Sequence, residues 1–258
     1  KLKEVPHCDT LNYYLELLSP DCLSELRKKM VTSLIRGKQF YSNRLLGKYW
    51  RVILDGTGVA CFEERHCDNC LYEKRTYKDG RKVTVYYHKV LEAKLILGDK
   101  IVVSLGTEFI ENERSDVSKQ DCETKAAKRL LERIKKEYPR LPICIQGDAM
   151  YATEPMMEIC RLNGWKYIFS HKEAQQRVLA DNYNLLSLED GKQKVQGIGA
   201  EKGTAIYCNG IGKMAGKTEI MNVYEYTCKK IIKKQEKTVH FQWITDIELT
   251  RRNLEEMV

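Results

Sequence analysis

The chain has 258 residues and carries 44 Lys and Arg against 36 Asp and Glu, a formal net charge of +8. That length supplies a full core for one large domain or two small ones, and 43% hydrophobic with 31% charged residues is ordinary for a soluble globular protein. No stretch approaches the roughly 18 apolar residues of a membrane span, and the basic balance favours a polyanionic partner.

Ten cysteines are many. Most stand singly in apolar surroundings: Cys61, Cys122, Cys144, Cys160, Cys208 and Cys228. This is the usage of reduced, buried thiols, so a cytoplasmic protein without a disulfide framework is expected, with no signal peptide and no membrane partner. The chain opens at Lys1 and closes inside Asp246-Ile-Glu-Leu-Thr-Arg-Arg-Asn-Leu-Glu-Glu-Met-Val258, a helical pattern without a stop signal, so a fragment cut at both ends is expected.

Residues 1–48 read as a helical N-terminal segment. Leu11, Tyr14, Leu15 and Leu18 form one apolar stripe; Leu23, Leu26, Met30 and Leu34 form another, separated by Ser19-Pro20-Asp21. Lys28, Lys29, Arg36, Lys38, Arg44 and Lys48 give the segment a basic face, either solvated or touching phosphates. Trp50-Arg-Val-Ile-Leu-Asp55 then reads as a buried strand that ends at the turn residues Gly56-Thr57-Gly58. A carboxylate at such a strand tip needs a metal, a base or hydrogen-bond donors if it is buried.

A polar insert with His66-Cys67-Asp-Asn-Cys70 follows, and Lys78-Asp-Gly-Arg81 supplies a turn. Residues 83–91 and 100–105 read as strands joined at Gly98-Asp99. Ser118 to Tyr138 has the strongest helical periodicity, with Ser118 and Asp121 in capping-box positions and Pro139 as its stop. Leu141-Pro-Ile-Cys-Ile-Gln-Gly-Asp148 repeats the pattern of an apolar strand closed by an aspartate. A helix from Thr153-Glu-Pro155 to Asn163-Gly164 and a strand at 165–169 complete the stretch 49–171.

Residues 172–222 lose helical periodicity and gather glycines, which reads as a β-rich insertion of short strands and turns. Gly197-x-Gly199 and Gly210-x-Gly212 are turn glycines rather than phosphate loops, because neither follows a buried strand and opens a helix. In 223–258, Val223–Cys228 and Val239–Thr245 read as paired strands around a basic tip of Lys229, Lys230, Lys233, Lys234 and Lys237. Trp243 alternates as a core residue should, and His171 and His240 stand without partners at usable spacing.

Three strands, a helix and a strand is the element order of a ribonuclease H-like core, an α/β fold with a mixed sheet flanked by helices. In that order the first and fourth strands are parallel neighbours, so Asp55 and Asp148 would meet. Hard divalent ions, Mg²⁺ or Mn²⁺, suit such a pair, and two-ion phosphodiester chemistry would follow. The alternative is that each aspartate caps a strand-to-loop turn. Cys67-x-x-Cys70 is half of a zinc spacing, with His66, His88 or Cys61 as further ligands; the alternative is a pair of reduced loop thiols.

Taken together, Val52-Ile-Leu-Asp55-Gly-Thr-Gly, the His-Cys-x-x-Cys insert, Lys119-Gln-Asp-Cys-Glu-x-Lys-Ala-Ala-Lys-Arg-Leu-Leu131, Gly147-Asp148 and Phe241-Gln-Trp-Ile-Thr-Asp246 resemble a DDE transposase of bacterial insertion sequences, of the kind grouped with the fourth insertion-sequence family. The resemblance covers about residues 9–258 and rests on the order and spacing of the motifs. It implies a ribonuclease H-like fold, Mg²⁺-dependent cut-and-paste strand transfer, and Asp55 and Asp148 as the first two catalytic acids. It implies transposon ends and target DNA as partners, a homodimer, and a nucleoid-associated location when bound. The family's third acid lies on an Arg-rich helix after the Trp-x-Thr-Asp strand. Glu248, Glu255 and Glu256 lack that context, so the third acid is expected beyond residue 258 and this chain alone is expected to be nearly inactive. Two further readings stand beside this one: a non-catalytic DNA-binding remnant, and a zinc-stabilised module that meets nucleic acid or protein and has no carboxylate pair.

Overall fold

The computed structural model describes residues 6–173, 176–211, 221–232 and 235–258. Ten strands form one mixed sheet, ordered β2-β3-β1-β5-β6-β10-β9-β8-β7, with β4 also on β3. The strands are β1 (Trp50–Phe62), β2 (Leu71–Thr76), β3 (Lys82–Gly98), β4 (Ile101–Ile110), β5 (Ile143–Gly147), β6 (Lys166–Ser170), β7 (Gln193–Ile198), β8 (Gly203–Ile211), β9 (Met221–Ile232) and β10 (Gln235–Thr245). The helices are α1 (Cys8–Leu17), α2 (Pro20–Arg36), α3 (Glu123–Glu137), α4 (Glu154–Leu162), α5 (Arg177–Leu185) and α6 (Arg251–Met257). This is an α/β fold with helices on a mixed sheet. None of its described helices is long and apolar enough to cross a membrane.

Strand periodicity sorts side chains to two faces. Val52 and Leu54 of β1, Ile143 and Ile145 of β5, and Tyr167 and Phe169 of β6 face one core, covered by α2, α3, α4 and α5. Cys144, Ile168, Tyr224 and Tyr226 face the other, covered by Leu254 and Met257 of α6. Leu130, Leu131 and Ile134 of α3 are fully buried, each contributing about 1.5–3 kcal/mol of apolar burial. The fit is close: a Cβ on Gly106 of β4 would stand 2.8 Å from Leu130 Cδ1.

Several expectations are corrected here. β1 does not stop at Gly56-Thr57-Gly58; it runs to Phe62, because β3 continues to pair with it at Gly56↔Leu91, Thr57↔Val90 and Gly58↔Lys89. The polar insert contains β2, which shares the outer edge of the long strand β3 with β4, so four strands precede α3. α3 begins at Glu123, not Ser118. Cys122 is its N-cap without a side-chain bond, and Asp121 is taken instead by Arg129 at 2.7 Å. The stretch 172–222 contains a helix, α5, whose Leu179 and Tyr183 reach the core. Its strand β8 pairs with β9, so this region continues the same sheet. Gly212 and two lysines of the basic tip, Lys233 and Lys234, lie outside the described residues.

α4 ends as expected, with Gly164 at φ +69. α1 and α2 also form where the stripes predict them, capped by His7 and Ser19. Most of the stripe residues face solvent: Leu11, Tyr14, Leu15, Leu23, Leu26 and Met30 are exposed, while Leu34 packs against the core and of the α2 residues only Val31 is buried.

Candidate functional site: an acid cleft at the end of β5

β1 and β5 are parallel neighbours with partners Arg51↔Cys144, Val52↔Ile145 and Ile53↔Gln146. The same 93-residue offset, continued past the end of β5, brings Asp148 level with Asp55. Adjacent strands lie about 4.8 Å apart, and both aspartates share the alternation of Ile53 and Gln146, so both leave the sheet on one face. They line one cleft of about 310 Å³ together with Glu123, Gly147, Tyr151 and Ser170.

The two aspartates are held differently from a buried strand-tip acid. Asp55 is 59% exposed and its carboxylate lies 3.5 Å from Lys94 Nζ. Its position within a strand, with a water-facing side chain, removes the need for buried compensation. Asp148 is exposed and caps the short turn that follows β5, accepting from the Met150 N–H at 2.9 Å. The capping geometry is thus present at Asp148, and one Asp148 oxygen remains for another partner.

Glu123 and Tyr151 were not singled out by sequence. Glu123 is the first residue of α3 and its side chain is 14% exposed. It accepts a 2.5 Å hydrogen bond from the Tyr151 hydroxyl and stands 3.6 Å from Lys89 Nζ. Both glycines next to the aspartates exist to admit this pair. A Cβ on Gly56 would fall on the Glu123 carboxylate, and one on Gly147 would sit 2.6 Å from the Tyr151 ring. Burial drives the Tyr151 phenol far above its ordinary pKa, reinforced by its bond to Glu123 and by the negative charges of Glu123, Asp148 and Asp55. The cleft is an electronegative pocket around a neutral phenol. The available signal in the sequence was the Asp-Gly and Gly-Asp adjacency, which marks close approach by another side chain.

Among the described residues, Asp55, Asp148 and Glu123 do not converge within 4.8 Å of one another; the sets that do are Cys67, Cys70, His88 and His7, Cys8, Asp9. The first of these draws on the expected knuckle. Cys67 Sγ and Cys70 Sγ are 3.6 Å apart, and His88 Nε2 lies 3.5 Å and 3.3 Å from them. His66 is not among them: its ring stacks on Tyr86 at 4.4 Å. Cys61 is excluded by register. It pairs with Tyr87, which leaves the sheet on the face opposite His88.

The remaining later acids stay away from the cleft. Glu256 accepts from the Leu46 N–H at 2.7 Å, and neither Glu248 nor Glu255 lines the cleft. Trp243 is half-buried between Tyr224 and Phe241, stacked at 5.0 and 5.6 Å, in keeping with a core role. His171 is buried against Gln242. At the basic tip, Lys229 pairs with Glu236 and Lys230 with Glu201, so two of its three described lysines are locally matched. The molecule is thus an α/β protein with an acid-lined cleft where β5 ends beside its parallel neighbour β1. No family model and no curated protein sequence matches the chain.

Proposed function

We propose that the chain is a ribonuclease H-like catalytic unit of a DDE-type transposase, acting on phosphodiesters of transposon ends and target DNA. One observation carries the reading: β1 and β5 pair in parallel, and Asp55 of β1 and Asp148, the residue after β5, line one cleft. The strand sequence β4-β3-β1-β5-β6, antiparallel on the β3 side of β1 and parallel on the β5 side, supports the fold assignment. The resemblance in motif order and the net charge of +8 support DNA as partner.

Asp55 and Asp148 offer hard carboxylate oxygens on one face of the sheet, a donor set suited to Mg²⁺ or Mn²⁺. Bound there, such an ion would supply Lewis-acid activation of the attacking oxygen and the phosphate. Lys94 neutralises Asp55 until that exchange. Glu123 and Tyr151 hold the wall of the cleft and keep a proton on the phenol. A second copy of the chain is the partner that paired-end chemistry requires, and the uncovered apolar faces of α1 and α2 are available to it.

With two aspartates on one face and Glu123 already engaged, the 258-residue chain by itself is expected to cleave DNA only feebly. The test is Mg²⁺- or Mn²⁺-dependent nicking of DNA by this chain. Asp55→Asn and Asp148→Asn are each expected to abolish that nicking. Nicking that survives both substitutions would sink the reading. A second reading, DNA binding without catalysis, draws on the Lys94–Asp55 ion pair. It predicts DNA affinity unchanged by Mg²⁺ and no cleavage with either ion.

A further inference from the structure

We infer that Cys67, Cys70 and His88 form a zinc site that fixes the start of α3. The inference about the metal does not rest on the phosphodiester reading. Zinc bound tetrahedrally, with Zn–S about 2.3 Å and Zn–N about 2.0–2.1 Å, separates two sulfurs by about 3.8 Å and a sulfur from a nitrogen by about 3.6 Å. The three observed separations, 3.6, 3.5 and 3.3 Å, fall within a few tenths of these values. Plain hydrogen bonding explains them less well. A neutral imidazole nitrogen accepts one proton, yet both sulfurs converge on Nε2. The loop is also wound for a thiolate: the Cys67 N–H points at Cys70 Sγ at 3.3 Å, and the Cys70 N–H bonds back to Cys67 O at 3.2 Å. Two thiolates and an imidazole select a borderline-soft ion over Mg²⁺. Cys67 is exposed, which leaves the fourth position open to solvent.

The knuckle is tied to the cleft by one buried asparagine. Asn112 donates from Nδ2 to Cys70 O at 2.8 Å and accepts at Oδ1 from the Asp121 N–H at 3.0 Å. Its backbone exchanges bonds with Asn69, between the two cysteines, at 3.0 and 2.9 Å. Gln120 closes the other side, accepting from the Tyr72 N–H at 2.6 Å and donating to Tyr72 O at 2.8 Å. Residues 120 and 121 lead directly into Glu123. The N-terminus of α3 lacks a side-chain cap, and this clamp takes over the task of fixing it. Zinc would therefore order the knuckle, the knuckle would order Asn112, and Asn112 would fix where α3 begins.

The test uses the full 258-residue chain expressed with zinc and purified without chelator. Elemental analysis is expected to give about one zinc per chain. Cys67→Ser with Cys70→Ser, or His88→Ala alone, is expected to lower this at least tenfold, while His66→Ala keeps it. Co²⁺ added to stripped wild-type protein is expected to give thiolate-to-cobalt charge transfer and intense tetrahedral d–d bands, a readout that needs no variant to fold. Amide exchange at Asn112, Asp121 and Glu123 is expected to quicken about tenfold on zinc removal. Absence of zinc and of the cobalt bands, or metal retained by the double cysteine variant, would overturn the site. Metal bound with exchange at 112–123 unchanged would overturn its positioning role.

Discussion

The two candidate metal positions of this molecule lie along neighbouring strands of one sheet and are built in opposite ways. In the knuckle, the three ligand atoms already stand at bonding separations, and their backbone is locked by Asn112 and Gln120. In the cleft, Asp55 and Asp148 are aligned by the sheet but their carboxylates are turned to Lys94 and to the Met150 N–H. A soft tetrahedral ion needs few ligands in fixed directions, so the chain can pre-set them. A hard ion keeps several waters and shares its shell with substrate phosphates, so its carboxylates need alignment more than closure. On the two proposals, the difference separates a site that would hold the fold from a site that would take up its ion together with a ligand.

The largest expected break in this comparison comes at the aspartates. Asp148→Ala is expected to lower Mn²⁺ affinity at the cleft on the order of a hundredfold, since loss of outer-shell partners alone costs roughly 10–100-fold. Calorimetric titration checks it, and zinc content at the knuckle should not move. Next comes the room left for Glu123. Gly56→Ala would drive a methyl into that carboxylate and is expected to destabilise the fold by about 1–3 kcal/mol, whereas Gly58→Ala, with nothing within 4 Å of the added carbon, should change the denaturation midpoint far less. Equal losses at the two glycines would mean that Glu123 does not pack where described.

Asp121, beside the clamp, sharpens the same comparison through pH. Burial alone would raise its pKa, but the hydrogen bonds from Arg129 and from the Cys122 and Glu111 amides outweigh this and hold it below the ordinary carboxylate value. The stabilisation is therefore present above the unfolded pKa, near about 3.9, and is lost as pH falls through the lower folded value. Asp121→Asn should lower stability at neutral pH and flatten this acid limb in urea titrations run below about pH 4. The smallest effect belongs to Lys94→Ala. An exposed ion pair is worth roughly 0–1 kcal/mol, so stability should barely change, while Mn²⁺ affinity at Asp55 should rise a few-fold as the competing cation is removed.

Much of the cleft was legible from short motifs. Apolar runs ending in Asp55 and Asp148 marked β1 and β5, and the element order predicted that they would be neighbours. Cys67-x-x-Cys70 marked the knuckle. Glu123 was not legible, because Ser118 and Asp121 mimic a capping box five residues before the helix starts; such a box reads the same in sequence whether or not a distant arginine claims its acid. β2 was hidden in a polar insert, since an edge strand with exposed Glu73, Lys74 and Arg75 lacks alternation. α5 was hidden among turn glycines for the opposite reason, as a nine-residue helix gives few periods to count.

Local pattern fixed the elements on which the aspartates and cysteines ride, because periodicity and turn chemistry act over a few residues. It also limited the metals each set of side chains would accept, because donor type is a property of the residue itself. Only the folded sheet decided that His88 rather than His66 or Cys61 joins the cysteines, since register across β1 and β3 sets which face a side chain leaves. Only it brought Glu123 and Tyr151 over Gly56 and Gly147, contacts between residues 67 and 4 positions apart that depend on where α3 settles against β4.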